Sequence, residues 1–352
     1  NDVAQTVEAA VRNTNGVVDA DDNPLLTDTD DGVVAGGQVE VKAKDDTTLT
    51  GTSTAVSIAA SFALGGGASV SVGAALVSLG LKGSTLATIS DSRVESEGGD
   101  VTVEALSTSD LTNTATAVSL AAAVALGGVS ASGAGASAIS TVEQEVKATI
   151  ADGSTVVSSN AVTVRANDDG ASSSIDLDAA SFAFGSLVAL AASVGEATNT
   201  IDSDIGASIQ NSTVTANGAN NPAPLVGGEI NVDAQSIHGV SAYDTTLDLS
   251  AISAALGGVS AVGGVGKVDI KNTVEAFVSG ATLTANDEVN LDADSQHYAK
   301  PDIAGFAAST GVGIAVVSAD AIVRGATRAY LDGTSTVTSA GALDVTGDSD
   351  AY

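Results

Sequence analysis

The chain has 352 residues, enough for two or three domains by length, and a formal charge of −31 from 12 Lys plus Arg against 43 Asp plus Glu. That field repels nucleic acid and anionic membrane surfaces and favours cations. Cysteine is absent, which excludes disulfides and thiolate metal sites, and an aromatic content of 3% within 44% hydrophobic residues leaves a thin core of Ala, Val, Ile and Leu.

The first residues read as the middle of a repeat, so the chain is expected to be a segment of something longer, with any targeting signal elsewhere. An acidic insertion follows at 19–37. Asp19, Asp21, Asp22, Asp28, Asp30 and Asp31 crowd it, with Asn23 and Pro24 among them. Closely spaced carboxylates on a loop suit Ca²⁺, which takes six to eight flexible oxygen ligands. These six aspartates are the candidate metal ligands. The EF-hand pattern itself fails, because Pro24 stands where glycine is needed and Asp30 where the twelfth-position glutamate belongs. No G-G-x-G-x-D nonapeptide array is present. No cofactor is required by anything else in the chain, and Ca²⁺ is the one candidate ion.

Six pentads then punctuate the sequence: Val39–Ala43, Val101–Ala105, Val162–Ala166, Ile230–Ala234, Val289–Ala293 and Leu343–Gly347. They begin at 39, 101, 162, 230, 289 and 343, so the intervals are 62, 61, 68, 59 and 54. A second signature precedes each later pentad: Ala87-Thr88-Ile89, Ala148-Thr149-Ile150, Ala207-Ser208-Ile209, Ala276-Phe277-Val278 and Ala329-Tyr330-Leu331. Repetition at a fixed period predicts one stacked array rather than separate globules. The units are approximately 1–47, 48–109, 110–170, 171–239, 240–298 and 299–352, with a second insertion at 217–228.

Between pentad and signature lie charge-poor stretches. Ser53–Leu81 and Thr114–Val142 carry no charge at all. Their length would suit membrane helices, but their period does not. Val56, Ile58, Ala60 and Phe62 alternate with Ala55, Ser57, Ala59 and Ser61, and Val118 and Leu120 alternate with Ala117, Ser119 and Ala121. Period two with β-branched residues predicts strands, so no transmembrane helix is expected. Small turns interrupt each stretch, at Gly65-Gly66-Gly67, Gly127-Gly128, Gly185-Ser186, Gly257-Gly258 and Thr310-Gly311. Each either reverses the strand or bends it around a corner. One strand face is bulky and the other small. The small face either packs within the chain or meets a neighbouring molecule.

The fold class expected is all-β: an elongated, repetitive, β-helix-like solenoid with ~60-residue repeats and Ala/Gly/Ser-rich strands. The V-x-V-x-A pentads, the A-x-I units and the Gly/Ala/Ser-rich strands resemble the repeat regions of filamentous haemagglutinin-like adhesins and related large bacterial exoproteins. That resemblance implies a secreted, cell-surface, non-catalytic structural segment. Its partners would be other copies of itself, neighbouring repeats of the same chain, or surface polysaccharide.

Other chemistries are weaker in this sequence. Acidic pairs at Asp45-Asp46, Asp168-Asp169, Asp202/Asp204, Asp292/Asp294 and Asp348/Asp350 read as turn residues. His238 and His297 each stand eight residues beyond a pentad start. With at least two coils expected per repeat, they would be on the order of 10 Å apart or more, as solvated or hydrogen-bonded corner residues. Arg324 and Arg328 are the only close arginine pair for a polysaccharide-active site, and no carboxylate pair stands out beside them. Thr213-x-Thr215, Thr282-x-Thr284 and Thr336-x-Thr338 form an ice-binding-like motif, recurring once per long repeat. The expected role is a self-assembling fibre, sheath or adhesin stalk, with a passive spacer as the alternative.

Overall fold

The computed structural model describes residues 2–14, 32–62, 65–124, 127–217, 227–238 and 245–351. Among them there are strands and no α-helix. In chain order the strands are β1 (Asp2–Thr14), β2 (Val33–Ala35), β3 (Val39–Phe62), β4 (Ala68–Ser96), β5 (Val101–Val124) and β6 (Val129–Ala151). Then come β7 (Thr155–Ser158), β8 (Val162–Gln210), β9 (Thr213–Ala216), β10 (Ile230–His238), β11 (Thr245–Ser279) and β12 (Thr282–Ala285). The last are β13 (Val289–His297), β14 (Ala299–Ser309), β15 (Val312–Asp332), β16 (Thr336–Ser339) and β17 (Leu343–Ala351).

Every pairing among the described residues is parallel and joins a residue to its equivalent one repeat away. Val39 pairs with Val101, Val101 with Val162, Val162 with Ile230, Ile230 with Val289 and Val289 with Leu343. The pentads thus form one continuous row. The signatures form a second row, Ala9–Ala87–Ala148–Ala207–Ala276–Ala329. Short strands β2, β4 (its end), β7, β9, β12 and β16 form a third. One repeat is therefore one circuit of the chain, which corrects the expectation of two coils per repeat.

The circuit is long because its two arms are long. One runs from the base to a glycine turn and the other runs back, the turn reversing the strand. Ser57 Oγ accepts from Ser71 Oγ at 2.9 Å, and Asn113 Nδ2 donates to the Ile139 carbonyl at 2.8 Å. A Cβ on Gly51 would meet Val77 at 2.8 Å. The outgoing and returning arms thus face each other through side chains, while their backbone hydrogen bonds go to neighbouring repeats. The 24 residues of β3 extend about 80 Å at ~3.3 Å per residue.

Three cores lie along the circuit. At the base, the pentad, signature and short-strand rows enclose a three-sided core of residues such as Val103, Ala105, Ala148, Ile150 and Val156, all fully buried. Further out, Leu79, Leu111, Ile175, Leu177 and Ile201 fill the proximal arm. Near the tip the core narrows to alanines such as Ala183, Ala189, Ala191 and Ala255. Small residues there let the arms close on each other. A file of serines, Ser57–Ser119–Ser181–Ser253, runs through the stack and bonds across to Ser71 and Ser132. The small face is therefore internal, and the bulky face points outward.

The base corner repeats one device. Two residues past each signature the chain takes a left-handed conformation, at Asp91 (φ 47°), Asp152 (57°), Asn211 (47°), Gly280 (63°) and Gly333 (65°). Asp, Asn and Gly tolerate that region best, which is why they alternate at this position. The serine that follows closes the turn: Ser92 Oγ donates to the Ser90 carbonyl, Ser154 to Ala151 and Ser212 to Gln210.

Candidate functional surfaces

The six candidate metal ligands, Asp19, Asp21, Asp22, Asp28, Asp30 and Asp31, lie outside the described residues, as does most of the second insertion. Elsewhere the acidic pairs do not sit at turns. Asp45-Asp46 lie within β3, Asp168-Asp169 and Asp202/Asp204 within β8, Asp292/Asp294 within β13 and Asp348/Asp350 within β17. The turn preference of aspartate is overridden because each pair sits in a ladder where one member has a partner or solvent.

Asp45 and Asp168 point inward. They stand in the row Asp45–Ser107–Asp168–Ser236–Ser295–Ser349, between the base core and the arm core. Asp45 is 1% exposed and accepts from Gln5 Nε2 and Thr47 Oγ1, each at 2.8 Å. Gln144, Ser107 and Asn272 continue this polar seam, with Asn272 Nδ2 bonding Ser236 at 3.2 Å. These hydrogen bonds tie the arms to the base and offset part of the burial, while Asp45 Oδ2 and Asn272 Oδ1 are buried without a hydrogen-bond partner.

The outward members form charge ladders along the stack. In one row Lys42 meets Glu104 at 2.5 Å and Arg165 meets Asp233 at 2.8 Å. The hydrogen bond to Glu104 raises the Lys42 ammonium above its ordinary value, against the opposing effect of burial. The alternation fails at Asp233 and Asp292, which are direct register neighbours. Burial, then repulsion from Asp233, Asp294 and Asp348, raises the Asp292 carboxyl above its ordinary range. On the returning arm Lys82 meets Glu143 at 3.1 Å, while Lys147 meets Glu145 at 2.6 Å and Asp204 at 2.9 Å. Burial lowers Lys147, but its two carboxylate partners outweigh that and the net shift is upward. An open depression of about 460 Å³ lies here, lined by Lys82, Glu143, Glu145, Asp202 and Asp204. Among the described residues no three His, Asp or Glu side chains are grouped to hold a metal ion.

Arg324 and Arg328 do not converge on one site. Arg324 is 2.9 Å from Asp269, and Arg328 is 2.9 Å from Glu275. Each neutralises a carboxylate one coil away.

The histidines differ from expectation in their spacing. His238 and His297 are adjacent in register, so their backbones lie one strand spacing apart, ~4.8 Å, not ~10 Å. Of the two expected roles, solvated or hydrogen-bonded, His297 takes the second: it is 5% exposed and its Nδ1 is 3.4 Å from Asn272 Nδ2.

The threonines are closer-set than the sequence suggested. Thr155, Thr213, Thr282 and Thr336 form one unbroken rank, and Thr215, Thr284 and Thr338 the next. The equivalent of Thr213-x-Thr215 in the preceding coil is Thr155-x-Val157. One motif per repeat therefore means one per coil. The face ends where Val157 replaces threonine and where Arg93 and Glu95 begin the ranks. The signal that could have fixed this alignment was the left-handed Asp/Asn/Gly corner two or three residues before each short strand.

No helix of the described chain is long and apolar enough to cross a membrane. No protein-family model, no curated protein and no solved structure matches this chain.

Proposed function

We propose that the chain is a structural segment of an extracellular β-solenoid, building the wall of a fibre or sheath, and that it carries no catalysis. The observation that supports this most is the register. Each described repeat lies on the next in parallel with equivalent residues paired, so the stack can extend without limit along one axis. Charged side chains pair along that axis instead of converging on one site. The resemblance to filamentous adhesin repeats points the same way and carries the expectation of secretion to the cell surface.

The coil dimensions favour a wall over a spacer. Each repeat of roughly 60 residues advances the axis by only ~4.8 Å, while base and arm together extend about 80 Å sideways along β3. A stalk whose task was distance would use its residues poorly in this form. A wall needs breadth, which the arms supply. Electron microscopy of the purified chain tests the role: end-to-end rods or ribbons as broad as the arms are expected. Isolated particles of six coils at every concentration would contradict it.

A further inference from the structure

The outward face of the distal arms is apolar on both sides. On the outgoing arm Val56, Ile58 and Phe62 are 65%, 70% and 78% exposed, and on the returning arm Val70 and Val72 are 68% and 69% exposed. The rows continue through the stack as Ile58–Leu120–Phe182 on one face and Val70–Ala131–Leu190–Val259–Val312 on the other. Charges begin only nearer the base, at Asp178 on the first face and Glu196 on the second.

The two faces differ in relief. The outgoing face carries bulky side chains side by side at Leu120 and Phe182, forming a ridge, beyond which Phe184, Ala254, Leu256 and Ala308 line a hollow of about 230 Å³. The returning face carries a shallow apolar trough of about 410 Å³, floored by Ala131, Gly133, Ala192 and Ala261 and walled by Val72 and Leu190. From this we infer that the outgoing face of one copy packs on the returning face of a second copy of this chain, ridge into trough, so that arms stack laterally. This rests on the structural role proposed above and names its lateral partner.

Three features select a second copy. Its side-chain rows recur at the same ~4.8 Å coil spacing, so the two surfaces interdigitate in register. The zone from Val56 to Phe62 is about 23 Å long, and the five coils that carry arms are about 24 Å deep, giving roughly 550 Å² per partner. Both partners together bury about 1,100 Å², at the lower edge of specific interfaces, and longer arrays multiply it. Among the described residues the charged side chains of the arms lie toward the base, more than a Debye length of ~8 Å from the tip, so salt screens their repulsion there. A bilayer offers no periodic relief.

Because the two faces differ, the contact is head-to-tail and open, and a mixing experiment reads it directly. Phe182→Asp spoils the ridge and Leu190→Asp the trough, and both side chains point outward. Sedimentation velocity of the whole chain at physiological salt should show concentration-dependent oligomers for the wild type. Each variant alone should keep only end-to-end association over the same range and lose the lateral oligomers. An equimolar mixture should regain a single lateral contact, pairing two by two and stopping there, because only one intact pair of faces remains. Far-UV circular dichroism checks the fold, and Leu120→Gln with Val194→Gln replace either variant that unfolds. A monomeric wild type, or variants that associate undiminished, would overturn the proposal. So would a wild type that is monomeric in buffer but floats with zwitterionic phosphatidylcholine vesicles, which would give the surface to lipid. Variants that form single thin rods by microscopy, where the wild type forms broader bundles, would support it and leave the axial role standing.

Discussion

Exchanging neighbours of opposite parity should reverse the usual hydrophobic intuition. Leu120 faces outward, whereas Ala121 is fully buried between the register neighbours Ala59 and Ala183. Two close approaches between the arms flank Ala121. Ser132 Oγ donates to the Ser119 carbonyl at 2.9 Å, and a Cβ on Gly128 would lie 3.0 Å from the Ala123 carbonyl oxygen. Lysine at 121 must therefore bury its ammonium or part the arms. Complete burial depresses a lysine pKa by up to ~5 units, at about 1.4 kcal/mol each, and overpacking adds roughly 1–3 kcal/mol. Local opening of the tip limits the loss, leaving on the order of 5 kcal/mol, comparable with the stability of a whole small domain. Leu120→Lys forfeits only part of the ~1.5–3 kcal/mol of a fully buried leucine, because the side chain is half-exposed and its new charge reaches water. Equilibrium urea unfolding followed by circular dichroism separates the two: Ala121→Lys should shift the transition strongly and Leu120→Lys by less than about 1.5 kcal/mol. The opposite order would mean that the strands present the other face, the result of a one-residue slip in register.

Three further outcomes are expected. Ile150→Ala, in the fully buried base core, should lose about 2–5 kcal/mol by the same assay, and a loss below about 1 kcal/mol would show that the three rows do not enclose a packed core. The folded-state pKa of Asp292 is raised, so the folded protein holds that proton more tightly than the unfolded chain. The penalty is full above the folded pKa and is relieved as pH falls through it. Thermal melts on acidification from neutrality should therefore show the advantage of Asp292→Asn over wild type shrinking, whereas a constant difference would discount the like-charge row. The threonine ranks are too narrow to order a sheet of ice, so nanolitre osmometry should find no gap between freezing and melting beyond a buffer control. A measurable gap would move the function to Thr213, Thr282 and Thr336.

Strand parity was legible because Ala55–Phe62 and Ala117–Leu120 alternate over many residues. Which parity faces inward was not, since hydrophobicity alone would bury Val56 and Leu120. Their burial is forgone because the arms close through Ala and Ser, as Ser57 against Ser71 illustrates. The repeat period was plain in the pentads, but not the number of coils it makes. A strand of 24 residues far exceeds the usual five or six, so two coils per repeat was the natural inference. That error misplaced His238 from His297 and thinned the threonine ranks. The acidic pairs misled for another reason: Asp45 and Asp168 are turn-formers by preference, yet they are held inside strands by a polar seam that no single repeat reveals.

One coil per repeat underlies all of this, and the chain's lack of cysteine makes it directly testable. Thr215 and Thr284 are register neighbours on an outward face. Adjacent parallel strands place their Cα atoms ~4.8 Å apart, within the ~4.4–6.8 Å that a disulfide spans. Thr215→Cys with Thr284→Cys should close an intramolecular disulfide under mild oxidation, while Thr215→Cys with Thr338→Cys, two coils apart, should not. If the first pair stays reduced, with its cysteines ~10 Å apart as two coils per repeat would require, the one-coil architecture is wrong.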